Sequence, residues 1–200
     1  MLLELQEAQL VLVDYQAKLM PVIHESEAVM ANGLRLAQMA QLLRVPTWGT
    51  EQNPERLGTN PETLRSLCRE TLPKMAFSAC AEGLVECLRP VAKAPQGNAR
   101  SLPKHLQKAV PHNPSRNSVV IAGCEAHVCL LQTALELLEE EFDVWVVTDA
   151  CGSRTERNRD AAFDRLASAG AELLTTEMVA FEWLRSAEHP QFKAVQALIK

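Results

Sequence analysis

Three short segments of this chain place apolar residues side by side with no polar alternation: Leu10–Val13 (LVLV), Ser118–Ala122 (SVVIA) and Val144–Thr148 (VWVVT). A strand with one wet face alternates apolar and polar residues. A run without alternation is buried on both faces, as in a parallel sheet covered by helices. The stretches between these runs have helical spacing. Val29, Leu36, Ala40 and Leu43 recur along a helix that Ser26 is expected to cap and Pro46 to close. Val128, Leu131, Leu135 and Leu138 fall on one face of a helix expected over 126–140. Ser153 and Glu156 read as a capping box for a helix running to Gly170. Further strands are expected at 47–50, 71–75 and 172–175, and short helices at 62–69, 81–88, 177–185 and 190–199, with a loop over 51–61. Parallel strands need crossover helices, so this order predicts one doubly wound α/β domain with helices on both faces.

Composition narrows the functional classes. Lys+Arg total 20 against 25 Asp+Glu, a net charge of -5, and there is no basic block. That argues against binding phosphate backbones, and 4% aromatic residues leave little for stacking nucleobases. No apolar run is long enough to span a membrane, and Glu4 and Glu7 stand where a signal peptide would carry Lys or Arg. The expectation is a cytoplasmic protein. Cys68, Cys80, Cys87, Cys124, Cys129 and Cys151 then read as reduced thiols rather than a disulfide framework, and no C-x-x-C pair occurs. Residues 90–117 change character, with Pro90, Pro95, Pro103, Pro111 and Pro114 around one short helical stretch at 104–110. So long a connection is either functional or a plain insertion.

Ligands of such sheets bind beyond the carboxyl ends of the strands, where the strand order reverses. Asp14 follows the first strand, Lys74 lies near the third, and Cys124-Glu125-Ala126-His127-Val128-Cys129 follows SVVIAG. Taken singly, each has an ordinary reading: a turn residue, a solvated cation, an inert packed thiol. Cys129 has one advantage, a place in the first turn of a helix, where the dipole favours thiolate. His127 is two residues away and does not face it on a helix. Cys124, His127 and Cys129 lack a second cluster at zinc spacing, so no metal is expected. H-E-x-x-H, G-x-S-x-G, the P-loop and G-x-G-x-x-G are all missing from the sequence.

The combination says more than its parts. LVLVDYQ, PKMAFSAC, VVIAGCEAHVCLLQTALELL, VVTDACGSRT and the ending HPQFKAVQALIK, in this order, resemble the isochorismatase-like cysteine hydrolase superfamily over nearly the whole chain. Thr50-Glu51-Gln52 resembles the loop of its isochorismatase domain-containing subgroup. The resemblance implies a six-stranded parallel sheet of order 3-2-1-4-5-6, three layers deep, with an Asp–Lys–Cys catalytic set at Asp14, Lys74 and Cys129. It also implies a cis peptide at Cys124–Glu125, which would aim the Glu125 N–H, with that of Cys129, at an oxyanion. Two departures matter. Nicotinamidases of the family hold a metal with an Asp and two His after the second strand, whereas here the loop reads Glu51-Gln52-Asn53-Pro54. True isochorismatases lack the cysteine, so Cys129 argues against that reaction.

The resulting expectation is a cofactor-free cysteine hydrolase of a small amide or related acyl compound, acting through a thioester. Gln16, Gln52, Phe77 and Arg154 are candidates for the substrate pocket, Gln16 also for a place behind Asp14. The family usually forms dimers or larger assemblies, so a homo-oligomer is expected. Two alternatives stay open: a weakly active scaffold or binding protein of the same fold, and a thiol redox protein using Cys129 with Cys124.

Overall fold

A computed structural model describes residues 1–89 and 116–200. The unalternated runs form the centre of one six-stranded parallel sheet. β1 (Ala8–Val13), β2 (Thr47–Gln52), β3 (Glu70–Lys74), β4 (Ser118–Cys124), β5 (Asp143–Gly152) and β6 (Glu172–Leu174) lie in the order β3-β2-β1-β4-β5-β6. Every residue of β1 and β4 is buried, as the lack of alternation requires. β5 runs beyond the expected 144–148 because a bulge between Ile121 and Gly123 lets pairing resume at Gly123↔Cys151 and Cys124↔Gly152.

The helices make the two outer layers. α1 (Ser26–Leu43), α7 (Thr176–Leu184) and α8 (Phe192–Ile199) pack together on one side, and α5 (Leu131–Glu139) and α6 (Glu156–Ser168) on the other. Short helices α2 (Pro54–Leu57), α3 (Glu62–Arg65) and α4 (Leu84–Leu88) lie in the connections. Val29, Leu36, Ala40 and Leu43 form the buried stripe of α1, as their spacing predicts.

Four local expectations need correction. Ser26 is the first residue of α1 and no side chain caps that helix; a cap must sit before the first turn, and there Glu25 adopts a left-handed φ of 54°. Thr155, not Ser153, caps α6, its Oγ1 accepting the Asn158 N–H at 3.3 Å. The expected loop at 51–61 contains the end of β2 and the turn α2. The helix over 126–140 opens with a π-turn at Ala126–Leu130. Its extra residue rotates the remainder of the helix, so Leu130, Leu131, Ala134 and Leu137 are buried while Val128, Leu135 and Leu138 are only half-buried. The Pro-rich segment and its helical stretch at 104–110 lie outside the described residues, apart from Arg116 and Asn117.

Candidate active site

β1 and β4 are neighbours, and the chain leaves them toward opposite flanks of the sheet. The crevice between their carboxyl ends is therefore the switch point. Asp14 is the first residue past β1, and its backbone turns into the left-handed region at φ 51°. That turn is fixed by Thr50 of β2. The Asp14 N–H donates to the Thr50 carbonyl at 3.2 Å, and the Thr50 Oγ1 donates to Asp14 Oδ1 at 2.7 Å. Sequence reasoning gave Thr50 no role. The available signal is the β1–β2 register, which sets Val13 beside Thr50.

Lys74 ends β3, across from Gln52 at the end of β2. The expected reading of a lone lysine as solvated surface fails here. Its side chain is wholly buried, and Nζ lies 2.8 Å from Asp14 Oδ2. That approach is a charge contact rather than an aligned hydrogen bond, because among the described residues no donor bonds Oδ2 with acceptable geometry. Nζ donates instead to Gln52 Oε1 at 2.7 Å and to the Phe77 carbonyl at 2.9 Å.

On the other side of the switch point, β4 must approach β1 closely. At Gly123, φ is 137° and an added Cβ would overlap the Val13 carbonyl, so only glycine fits. The peptide from Cys124 to Glu125 is cis. The π-turn then brings Cys129 to the crevice, nearly buried, with its Sγ donating to Gln52 Oε1 at 3.7 Å. Lys74 and Cys129 thus meet at the Gln52 side chain, and Lys74 joins Asp14 to them.

The thiol is not activated in the way its helix position predicts. Burial pushes Cys129 up to about 12, the Asp14 charge adds to that, and the Lys74 ammonium opposes it only in part. Removal from water outweighs the end of a helix whose first turn is π rather than α. Cys80 and Cys151 are raised to about 12 by burial as well. What separates Cys129 from them is its neighbours.

The remaining candidates divide. Gln52 is at the centre. Phe77 contributes its carbonyl to Lys74, and the residue is 53% exposed. Arg154 pairs with Glu125 at 2.8 Å at the rim. Gln16 is fully buried. Its amide clamps the Gln52 backbone, accepting the N–H at 2.8 Å and donating to the carbonyl at 2.9 Å. His127 faces away from the thiol, as its spacing implies, with Nδ1 2.9 Å from the buried Ser153 Oγ. Cys124 turns its thiol to Met20, with Sγ 3.7 Å from Sδ. Cys124 and Cys129 therefore face different partners, and both thiols are free. Among the described residues, no group of three His, Cys, Asp or Glu could hold a metal ion. A separate apolar groove between Leu2 and α7, bordered by Met178, Phe181 and Arg185, carries no cysteine, lysine or histidine.

The chain as a whole is similar to known proteins. The isochorismatase domain model matches residues 8–178. The chain belongs to the isochorismatase domain family. Isochorismatase domain-containing protein 2A of Mus musculus is 36% identical over 191 residues, 96% of this chain and 82% of that protein. Among solved isochorismatase-type folds, a Caenorhabditis elegans protein described as MAR1 ribonuclease superposes with a TM-score of 0.82 at 31% identity, covering 100% of this chain and 92% of the other. The Escherichia coli YcaC gene product, described as an octameric hydrolase of unknown specificity, gives 0.80 at 27% identity, covering 98% and 87%.

Proposed function

We propose that this isochorismatase-family chain is a cysteine hydrolase of a small amide or related acyl compound. One observation carries the reading: a buried thiol kept protonated lies in one crevice with the buried Asp14 carboxylate and the buried Lys74 ammonium. A thiol held up at about 12 needs a base. Asp14 Oδ2 takes the Sγ proton as the Sγ–C bond forms, and Lys74 steadies both charges. The backbone N–H groups of Glu125 and Cys129 would hold the oxyanion. Asp14 then gives its proton to the leaving amine, whose C–N bond breaks to leave a thioester. Water attacks the thioester, losing a proton to Asp14. The acid leaves and the proton returns to sulfur.

Gln52 and the exposed residues Met75 and Phe77 stand beside Lys74, and Arg154 stands at the rim; these are the walls a substrate would meet. The octameric E. coli relative supports self-association of this chain too. The acidic charge speaks against a nucleic-acid substrate. Among the described residues, no helix is long and apolar enough to cross a membrane.

The test is a panel of amides and ureides scored by release of ammonia or amine. At least one should turn over, and Cys129→Ala should abolish that turnover while the circular dichroism and melting profile stay near those of the parent. Full activity in Cys129→Ala would overturn the mechanism.

A further inference from the structure

Gln52 has an arrangement that the hydrolytic steps above do not use. Its amide orientation is fixed. Nε2 donates to the Met75 carbonyl at 2.8 Å while Oε1 accepts from Lys74 Nζ at 2.7 Å. Flipping the amide would set the NH2 against an ammonium and the oxygen against a carbonyl. The backbone of Gln52 is held as firmly, by the two hydrogen bonds from the fully buried Gln16 amide. That amide also donates to the Gly58 carbonyl, so it has no freedom to turn.

Lys74 Nζ has partners besides this oxygen. Without it, Nζ keeps Asp14 Oδ2 at 2.8 Å, the Phe77 carbonyl at 2.9 Å and the Ala76 carbonyl at 3.5 Å. The other contact of Oε1 is the Cys129 thiol, at 3.7 Å. A carbonyl oxygen aimed at sulfur favours S–H and disfavours S⁻.

We infer that Gln52 is a positioning residue that holds the Cys129 proton on sulfur in the resting enzyme, with Oε1 accepting the S–H and partly occupying the Lys74 ammonium. For reaction, the S–H turns about the Cβ–Sγ bond from Gln52 Oε1 to the neighbouring Asp14 carboxylate, which then takes the proton. The residue restrains the nucleophile until a substrate fills the crevice. This rests on Cys129 being the nucleophile of the proposed hydrolase.

The test measures the rate of Cys129 alkylation by iodoacetamide, a neutral reagent, between pH 7 and 9, with the modified peptide identified by mass. Gln52→Leu removes the oxygen and keeps the bulk. Gln52→Glu keeps the shape and adds a negative charge beside sulfur. If Gln52→Leu lowers the thiol pKa by about one unit, thiolate rises about tenfold and its intrinsic reactivity falls about threefold, so alkylation at pH 8 becomes about threefold faster. Gln52→Glu becomes slower by about the same factor. The half-buried Cys68, Cys80 and Cys87 serve as internal controls and should not change. A residue that merely supports the crevice would, when replaced, loosen it and speed alkylation in both variants. Opposite signs at Cys129 alone support the inference. Equal signs, or no change in Gln52→Leu, overturn it. Should Gln52→Leu fail to fold, Gln52→Glu decides alone: unchanged or faster alkylation overturns the inference. No substrate is used, so a failed amide panel with opposite signs here removes the hydrolase reading and leaves the restraint standing.

Discussion

Replacing Lys74 by Met tests the electrostatics of the crevice without needing a substrate. Lys74 and Asp14 are both fully buried at the side chain and 2.8 Å apart. A pair like this on the surface would contribute between zero and about 1 kcal/mol. Buried, the pair costs much to desolvate, and breaking it from one side costs more than its net worth, because the surviving charge is stranded. Losses of about 3–5 kcal/mol are typical. Lys74→Met leaves the Asp14 carboxylate with Thr50 Oγ1 as its hydrogen-bond donor among the described residues, and takes a donor from Gln52 Oε1 and the Phe77 carbonyl. The expected loss is therefore about 3–5 kcal/mol, about a fifth or more of the stability of an ordinary domain. At about 2–4 °C per kcal/mol for a chain of this size, melting falls by roughly 6–20 °C. Urea unfolding at fixed protein concentration measures it, with a second variant as control. Asp14→Asn combined with Lys74→Met removes both charges and should recover at least about 2 kcal/mol of the single loss. A loss below about 1 kcal/mol in Lys74→Met, or no recovery in the double variant, would refute the claim that a buried charge pair organises the crevice.

Three other outcomes are expected. Cys129→Ala loses turnover on any amide that the parent hydrolyses, measured by amine release. Gly123→Ala places a methyl against the Val13 carbonyl in a backbone conformation that L residues rarely adopt. It should cost about 3 kcal/mol or more; a melting temperature equal to the parent's would contradict the β1–β4 packing. Alkaline pH should weaken the fold. Burial raises Cys68 to about 11 and Cys80, Cys129 and Cys151 to about 12. Unfolded thiols lose protons near 9, so above that pH the unfolded chain binds fewer protons than the native one. This contribution is fully present below about pH 8 and declines as pH rises toward 12, so the urea midpoint should drop between about pH 8 and 10. A midpoint that rises over that range would contradict the burial of these thiols.

Sequence alone carried the fold a long way, for a physical reason. A strand buried on both faces has to be apolar throughout, and β1 and β4 declare themselves by that requirement. The crossover rule then leaves few topologies. Asp14 and the Cys124–Cys129 segment were legible because they come directly after those strands. Lys74 was legible only through the family's motif order, since a lysine after a weakly patterned edge strand looks like any surface cation. Local boundaries failed where tertiary contacts overrule local chemistry. Ser153 has the spacing of a cap but is buried against His127, and the π-turn shifts a helix face that a steady period of about 3.6 would set elsewhere.

Only the tertiary structure decided the state of the site. No periodicity tells that Lys74 is sealed from water, or that Thr50 holds one oxygen of Asp14 and leaves the other to the charge of Lys74. Nor does it tell that the Gln16 amide clamps the Gln52 backbone. The thiol shows the difference most clearly. Its place at a helix start predicts an easily ionised sulfur, but its ionisation depends on how much water surrounds it and which charges lie within a few ångströms. Residues brought from the ends of four strands fix both, and burial keeps the proton on Cys129.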